Sequence, residues 1–337
     1  MNRITRFNIA VVKGDGIGPE VIDSAILVLD RLGFRAKYHV AEAGYACYQN
    51  HGTPLPDETI EIIKNCDASL FGAVTTPAHI AEYPSAIVQL RQRLNLYANL
   101  RPFKTYPGIG RYGDESVHIL LFRENTEDLY IGLGWRHEDQ AYNLRRISEA
   151  ASRRILRMAF EHGVENKLSV TVVHKANVIK PSDVLFLETA HKVAVEYPEV
   201  KWQAEIVDSL CMKLVLYPDR YQVIVAPNFH GDILSDLLAG VVGSLGLCPS
   251  ANIGEECSLF EPVHGSAPDI AGQKKANPIG AILSAKLMLE HLGDSELAKR
   301  LDQAVSRVIQ SAVLTPDLGG TATTQEVTNA VISRLED

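Results

Sequence analysis

Strand-like and helix-like segments alternate along almost the whole chain, and this alternation most restricts the possible fold. In the run from Phe7 to Gly33, a buried strand, a glycine-rich turn and an amphipathic helix follow one another, with Pro19 in the first helical turn. Further strands are predicted at 35–44, 68–77, 117–124, 168–177, 204–210 and 222–228. Further helices are predicted at 57–65, 85–97, 148–162, 183–197, 228–240, 278–292 and 295–310. The alternation predicts an α/β protein whose sheet is covered on both faces.

The composition is that of a globular protein and excludes several classes of partner. A chain of 337 residues, 46% hydrophobic and 22% charged, fits two lobes separated by a cleft better than one compact domain. The net charge of −8 disfavours nucleic acid and anionic membranes as partners, and the longest apolar run, 237–247, is too short to span a bilayer. An anionic small substrate would therefore need a local cluster of cations.

The cysteines and the start of the chain indicate a cytoplasmic location. The 5 cysteines are widely spaced and form no CxxC pair, so neither a disulfide framework nor a zinc site is predicted and a reducing compartment is expected. The first residues lead almost directly into a strand and contain no apolar signal region.

The glycine-rich run GDGIGPE, 14–20, allows two interpretations. It follows a strand and opens a helix, as a dinucleotide fingerprint does, and Glu42 lies near the expected downstream acid. Its spacing is GxGxG instead of GxGxxG, which favours a tight strand-to-helix turn of purely structural importance.

Two aspartates in an otherwise apolar helical segment indicate a metal site. Asp232 and Asp236 are four residues apart, so on a helix they share a face and repel each other. A hard divalent cation such as Mg²⁺ or Mn²⁺ would neutralise them, because these ions prefer carboxylate oxygens. Asp208, at the end of a predicted strand, is a candidate third ligand, with a solvated or helix-capping aspartate as the alternative.

Two further residues are candidates for proton transfer. Lys175 leaves a buried strand, where burial would depress its pKa and make it a possible proton acceptor. Tyr130 closes the polar run FRENTEDLY and is a candidate proton donor, although each residue taken singly is more often structural.

Arginines supply the expected local positive charge. Arg91, Arg101 and Arg123 are suited to bidentate binding of substrate carboxylates. Arg93 and Arg145 are predicted to form surface salt bridges instead.

Seven motifs in order along nearly the whole chain resemble the β-decarboxylating dehydrogenases of isocitrate, 3-isopropylmalate and homoisocitrate. They are GDGIGPE, LYANLRP, RENTEDLY, HKAN, GDILSD, EPVHGSAPDIAG and LTPDLGG. The resemblance implies the two-lobed α/β fold of isocitrate and isopropylmalate dehydrogenases, with a mixed central sheet and not a Rossmann fold. Residues 1–99 and 252–337 would form the large lobe and 100–251 the small lobe, and GDGIGPE would be chiefly structural. The expected assembly is a homodimer with shared active sites, possibly a tetramer.

The resemblance also implies the role of each site residue. Asp232 and Asp236 would hold Mg²⁺ or Mn²⁺ together with Asp208 of the neighbouring subunit. Lys175 of that neighbour would assist removal of the substrate's hydroxyl proton, and Tyr130 would protonate the enol after CO₂ is lost. The residues expected to bind substrate are Ser85, Arg91, Arg101, Arg123 and Asn177.

The nucleotide is expected on the loop EPVHGSAPDIAGQKKANP. Asp269 points to NAD, because a carboxylate accepts hydrogen bonds from a ribose 2′-hydroxyl and repels a 2′-phosphate. The residues expected to line this site are His264, Gly265, Ser266, Ala267, Asp269, Ile270 and Asn277.

The segment before Arg91 discriminates among the substrates. Isocitrate dehydrogenases usually have Ser and Asn two residues apart here, whereas this chain has Ser85 and Ile87, which disfavours isocitrate. The pattern is most similar to fungal-type homoisocitrate dehydrogenases. However, Val88 stands where the bacterial type has arginine, and His79 is a candidate cation for the distal carboxylate.

Homoisocitrate, an intermediate of lysine biosynthesis through aminoadipate, is therefore the substrate that the sequence predicts first. The alternatives are 3-isopropylmalate, of leucine biosynthesis, then isocitrate. A non-catalytic regulatory subunit and a Rossmann-type dehydrogenase that releases no CO₂ are further alternatives; the retained acids, lysine and tyrosine disfavour the regulatory subunit.

Overall fold

The computed structural model describes residues 6–80, 83–113 and 115–335, in which strands and helices alternate as predicted. The strands are β1 (Phe7–Gly14), β2 (Ala36–Ala41), β3 (Ala68–Ala73), β4 (Ala98–Lys104), β5 (His118–Glu124), β6 (Gly134–His137), β7 (Gln140–Asn143), β8 (Val170–His174), β9 (Trp202–Ile206), β10 (Val223–Ala226), β11 (Pro249–Ile253) and β12 (Ser258–Pro262). The helices are α1 (Gly18–Leu32), α2 (Tyr45–His51), α3 (Asp57–Lys64), α4 (Ala86–Arg93), α5 (Glu149–Asn166), α6 (Lys180–Glu196), α7 (Val207–Leu216), α8 (Asn228–Val242), α9 (Ile279–His291), α10 (Ser295–Gln310) and α11 (Thr324–Ser333).

The chain divides into two compact units. The first comprises Met1–Leu96, Tyr106–Asp114 and Gly243–Asp337, and the second comprises Tyr97–Thr105 and Glu115–Val242. The sequence-based division differs from these bounds: it puts 97–99 in the large lobe, and 106–114 and 243–251 in the small lobe.

The first unit contains strands in the order β2-β1-β3-β12-β11. β1 is parallel to β2 and β3, and β12 is parallel to β3 but antiparallel to β11. α1 packs on α9 and α11, and α9 packs on α10. One core cluster joins strand residues such as Phe71 and Leu259 to Ile60 of α3 and Leu90 of α4.

The second unit contains strands in the order β4-β5-β10-β8-β9. β4 is antiparallel to β5, and the other pairs are parallel. Helices α5 and α6 pack together, as do α7 and α8. Because parallel strands end at the same edge of a sheet, the residues that follow β5, β8 and β10 are brought to one edge, where α/β proteins bind ligands.

The glycine-rich turn between β1 and α1 makes contacts that fit a structural role. Gly14 and Gly16 have φ of 73° and 57°, which side-chain-bearing residues rarely adopt. The Asp15 carboxylate accepts hydrogen bonds from the backbone N–H groups of Tyr45 at 2.7 Å, Ala46 at 2.9 Å and Thr75 at 2.8 Å. The turn is therefore tied to two other segments of the first unit, the start of α2 and the chain after β3.

Some predicted elements were wrong in extent or type. The strand predicted at 204–210 ends at Ile206, and Val207 begins helix α7, so Asp208 lies in a first helical turn instead of at a strand end. The helix predicted at 85–97 ends at Arg93. β4, β11, β12, the β6–β7 hairpin, α2 and α11 were not predicted. Among the described residues, no helix has both the length and the apolar character needed to cross a membrane.

Candidate active site

The second unit brings three of the predicted site residues into direct contact. Arg123 lies one residue before the end of β5 and is only 1% exposed, whereas Asp232, in the second turn of α8, is 43% exposed. The Arg123 guanidinium donates a hydrogen bond to one Asp232 carboxylate oxygen, and the Tyr130 hydroxyl donates to the other. The guanidinium carbon also lies 5.2 Å from the centre of the Tyr130 ring, and Nε of Arg123 donates to Oδ1 of Asn228 at 2.9 Å. Tyr130 and Asp232 are therefore held by one buried cation.

A glycine in α8 makes room for this arginine. A Cβ atom on Gly231 would lie 2.7 Å from Cγ and 2.9 Å from Cβ of Arg123. These atoms form the stem of a buried side chain, so they have little freedom to move aside. The glycine of GDILSD is thus required for the packing of Arg123 against α8.

Asp236 lies one turn after Asp232 on the same helix and has a perturbed pKa. Burial and the charge of Asp232 raise the pKa of Asp236, and the guanidinium groups of Arg101 and Arg123 oppose that rise. The two arginines thus supply part of the compensation that the sequence assigned to a divalent cation alone. Ionising both carboxylates still costs free energy despite the arginines. A hard divalent cation such as Mg²⁺ or Mn²⁺ would offset that cost by binding between them.

Lys175 and Asp208 form a second pair. Nζ of Lys175, just after β8, donates to Oδ1 of Asp208 at 2.5 Å, and this hydrogen bond lowers the pKa of the mostly exposed Asp208. Within the part of the chain that the structure describes, neither residue forms an ion pair with Asp232 or Asp236. Asn177 lies exposed two residues after Lys175.

The predicted substrate residues of the first unit have contacts of their own. Arg91 is buried, and its Nη2 donates to Oε1 of Glu261 at 3.1 Å, while its Nε has no hydrogen-bond partner among the described residues. Ser85 precedes the first residue of α4, and its hydroxyl oxygen accepts from Thr76 at 3.3 Å. Ile87 is half-buried against the core cluster of this unit.

The predicted nucleotide loop follows β12 in the first unit. The Ser266 hydroxyl accepts a hydrogen bond from Thr75 at 2.7 Å, and the Ser266 carbonyl oxygen accepts from the backbone of Ile17 at 2.9 Å. Nδ1 of His264 lies 3.0 Å from the Gly265 carbonyl oxygen. Burial lowers the pKa of His264, whose Nε2 is buried without a partner among the described residues.

The remaining residues of the loop include one anchored amide and one exposed acid. Asn277 donates to Asp317 at 3.1 Å and accepts from the backbone of Ile279 at 3.0 Å. Asp269 is exposed, and no hydrogen bond or ion pair to its carboxylate occurs in the described ranges. Ala267 has a φ of 37°, and its carbonyl oxygen accepts from Ile270 at 3.1 Å. An orphaned imidazole nitrogen and an unpaired carboxylate are polar groups that a nucleotide is able to satisfy.

The prediction that Arg93 and Arg145 form surface salt bridges is right for the first and wrong for the second. Arg93 is exposed and pairs with Asp57 at 2.5 Å. Arg145 is largely buried and pairs with two carboxylates, Asp128 and Asp183, that are fully buried. The sequence places Arg145 in a polar stretch, which gave no sign that the stretch folds over buried acids.

Sequence reasoning also missed the residues that hold the site. They are Asn228, Gly231, His230, Asp128 and Asp183, of which all but the glycine are buried polar residues. The available signal was polar residues immediately after buried strands, as in VAPNFHGD and FRENTED, because such residues must be paired when they are buried.

Comparisons with known proteins identify the family of this chain. The sequence model of the isocitrate/isopropylmalate dehydrogenase family matches residues 8–331. The chain is 47% identical to the isocitrate/homoisocitrate dehydrogenase of Thermus thermophilus over 333 residues, which cover 98% of this chain and 99% of the relative. It is 44% identical to the 3-isopropylmalate dehydrogenase of Methanothermobacter thermautotrophicus, with 98% of each chain covered.

A solved structure shows the same fold. The crystal structure of isocitrate dehydrogenase from Methylococcus capsulatus matches with a TM-score of 0.94 at 39% identity, covering 98% of this chain and 100% of that chain. The predicted fold class is therefore confirmed. The chain belongs to the isocitrate/isopropylmalate dehydrogenase family, whose members are decarboxylating dehydrogenases.

Proposed function

We propose that this protein oxidises homoisocitrate with NAD and releases CO₂ and 2-oxoadipate, in a reaction that requires Mg²⁺ or Mn²⁺. The observation that carries the proposal is the contact of Arg123 and Tyr130 with Asp232, beside Asp236 on the same helix. It supports the proposal because a cation suited to carboxylates, a candidate proton donor and two candidate metal ligands lie together. The relative from Thermus thermophilus, named for isocitrate and homoisocitrate, supports the choice of substrate.

Asp232 and Asp236, with Asp208 of a neighbouring subunit, would hold the metal ion. When bound, a divalent ion makes the substrate hydroxyl more acidic and stabilises negative charge on its oxygen. Arg123, with Arg101 nearby, provides positive charge for the substrate carboxylates. The roles of Ser85, Arg91 and Asn177 in substrate binding stay predictions from the resemblance.

The chain's own residues would perform the two proton transfers. Lys175 and Asp208, hydrogen-bonded at 2.5 Å, would form a path along which the substrate's hydroxyl proton leaves. Bound NAD would supply the hydride acceptor for this oxidation. Loss of CO₂ from the resulting β-keto acid leaves an enolate. Tyr130 would then donate its phenolic proton to the enolate carbon and release the 2-oxo acid.

NAD is favoured over NADP by the nucleotide loop. The exposed Asp269 carboxylate suits a ribose 2′-hydroxyl and opposes a 2′-phosphate. We expect Asp269→Lys to lower kcat/KM with NAD and raise it with NADP. Glu296→Lys, at an exposed position of α10, is the control for a general charge effect. Equal changes with both cofactors in the two variants would contradict the assignment of Asp269.

Substrate choice is tested by comparing kcat/KM for homoisocitrate, 3-isopropylmalate, isocitrate and D-malate with NAD and NADP. The second candidate is 3-isopropylmalate, which the half-buried apolar Ile87 on α4 favours because the residue presents no cation for a distal carboxylate. One methylene contributes only about 1–3 kcal/mol to discrimination, so both substrates are expected to react to some extent. A large preference for isocitrate would contradict the interpretation of Ile87.

The decarboxylation is tested separately, by trapping CO₂ and comparing its amount with the NADH formed.

Shared active sites require a homodimer, and the surface of the second unit supports one. Helices α7 and α8 expose large apolar side chains, including Met212 at 55%, Leu216 at 51% and Ile233 at 48%. Mixing inactive Lys175→Met and Tyr130→Phe protomers tests the arrangement. If Lys175 acts in the neighbour's site, half of the sites in a mixed dimer contain both wild-type residues and activity returns. No recovery in dimers shown to be mixed would contradict the shared site.

A further inference from the structure

We propose that Arg145 is a positioning residue that fixes the backbone of Lys175 relative to the loop carrying Tyr130. It would do so through two buried carboxylates, Asp183 and Asp128, each of which holds one of these segments. The inference rests on the proposed function, in which Lys175 and Tyr130 transfer protons.

The first arm of this arrangement runs from Arg145 to Lys175. Nη1 of Arg145 donates to Oδ1 of Asp183, in the first turn of α6. The other carboxylate oxygen of Asp183 accepts from the backbone N–H of Lys175 at 2.5 Å and lies 2.9 Å from Nε2 of His230 on α8. Asp183 thus sets the point at which the chain leaves β8, and with it the origin of the Lys175 side chain.

The second arm runs from Arg145 to the loop of Tyr130. Nε and Nη2 of Arg145 donate to the two oxygens of Asp128 at 2.5 and 3.1 Å, a bidentate pair. The same carboxylate accepts from the backbone N–H groups of Leu129 at 2.9 Å and of Phe229 at 3.0 Å. Asp128 therefore ties the residue before Tyr130 to the first turn of α8, the helix that carries Asp232.

One guanidinium thus forms hydrogen bonds to two carboxylates that have no exposed surface. Asp128 and Asp183 are each 0% exposed and the Arg145 side chain is 11% exposed. Burial alone would raise the pKa of Asp183, but His230 and Arg145 lower it overall, so the carboxylate stays ionised and keeps accepting hydrogen bonds. Without Arg145, two buried charges would lose their main cation, and both loops would rearrange to reach water or other donors.

A positioning role of Arg145 predicts different kinetics from a role that only stabilises the fold. Arg145 does not need to touch the substrate, so its loss should leave KM nearly unchanged and slow the proton transfers. Misplacing reacting groups by about 1 Å costs on the order of 100-fold in rate. We therefore expect Arg145→Met to lower kcat roughly 10- to 100-fold per folded protein and to raise the solvent deuterium isotope effect on kcat, as proton transfer becomes rate-limiting.

Two further variants separate positioning from folding. Arg145→Lys keeps the charge but lacks the planar fork that spans two carboxylates, so we expect a partial recovery of kcat. The triple variant Arg145→Met/Asp128→Asn/Asp183→Asn removes the unpaired charges and should regain stability without regaining kcat. Arg153→Met, which breaks an exposed pair with Glu196, is the matched control and should behave as wild type.

A measurement that does not depend on the reaction completes the test. Hydrogen exchange followed by mass spectrometry should show faster exchange of peptides that contain the backbone amides of Lys175 and Phe229 in Arg145→Met, with β10 unchanged. Exchange at the wild-type rate in these peptides of Arg145→Met would overturn the proposal. So would a loss of kcat that is fully explained by a smaller folded fraction and leaves the isotope effect unchanged. If the wild type oxidised none of the hydroxy acids, the proposed function would fail while the exchange result still decided the role of Arg145.

Discussion

The buried guanidinium of Arg123 donates a hydrogen bond to the carboxylate of Asp232 on α8. From the repulsion between Asp232 and Asp236 alone, Asp232→Asn is expected to leave the protein equally or more heat-stable. The ion pair reverses that expectation, because the variant would remove the carboxylate that is hydrogen-bonded to a buried cation. We expect the free energy of unfolding to fall by about 1–2 kcal/mol and activity to be lost. Urea unfolding in EDTA measures the first effect, and an unchanged or higher midpoint would contradict it.

Asp236→Asn should have the opposite effect on stability. Burial and Asp232 raise the pKa of Asp236, so its ionised form costs stability once the pH exceeds the unfolded value near 3.9. At pH 7 without metal, the free energy of unfolding should be about 0.2–0.5 kcal/mol higher for the variant than for the wild type. The gain should vanish as the pH falls below 4. Added Mg²⁺ or Mn²⁺ should raise the Tm of the wild type but not of the variant, and an equal rise in both would argue against Asp236 as a ligand.

The sequence predicted those features that depend on local pattern. Alternating apolar periodicity predicted most of the elements that carry the site, and the spacing of Asp232 and Asp236 placed both on one helix face. The features that depend on packing were not predictable. Asp208 was assigned to a strand because β9 ends at Ile206 and α7 begins at Val207, with no glycine or proline between them to mark the boundary. Arg145 was assigned to the surface because its partners, Asp128 and Asp183, are distant in sequence and only the fold buries them.

Gly231→Ala should disturb the site through Arg123. The added Cβ would lie 2.7 Å from Cγ of that arginine, and overpacking of this kind costs about 1–3 kcal/mol. We expect lower stability and a higher KM for the hydroxy acid, measured by urea unfolding and NADH formation. Gly240→Ala on the same helix is the control, because its added Cβ has no described atom within 4 Å apart from adjacent residues and the helix's own backbone. That variant should gain up to about 1 kcal/mol, and similar behaviour of the two variants would contradict the role of Gly231.

Asp15→Ala tests whether the glycine-rich turn is structural. The carboxylate accepts three backbone hydrogen bonds, and hydrogen bonds to charged groups contribute about 1.5–3 kcal/mol each. The variant should lose at least that much stability while KM for NAD, measured on the folded protein, stays unchanged. Asp23→Ala, which removes only an exposed pair with Lys13, should be nearly neutral. A large rise in KM for NAD with little loss of stability would restore the interpretation of the turn as a nucleotide-binding fingerprint.

His174, the last residue of β8, should make stability depend on pH. Burial and the nearby His230 lower the pKa of His174, and its Nδ1 accepts a hydrogen bond from Ala176 at 3.1 Å, which requires the unprotonated ring nitrogen. Asp183 and Glu205 act in the opposite direction but do not overcome the burial. In the unfolded chain the pKa of His174 is near 6.5. As the pH falls through that value, His174 is protonated in the unfolded chain but stays neutral in the folded protein, so the free energy of unfolding falls.

His174→Asn isolates this contribution, because the asparagine Oδ1 is able to accept from Ala176 but does not titrate. The fall in the free energy of unfolding between pH 7.5 and 5.5 should be smaller in the variant, by at most about 1.4 kcal/mol per pH unit. Urea unfolding at pH 5.5, 6.5 and 7.5 in EDTA measures the difference. Parallel pH profiles for the two proteins would show that His174 titrates alike in the folded and unfolded states, and its burial beside Lys175 would then have no electrostatic consequence.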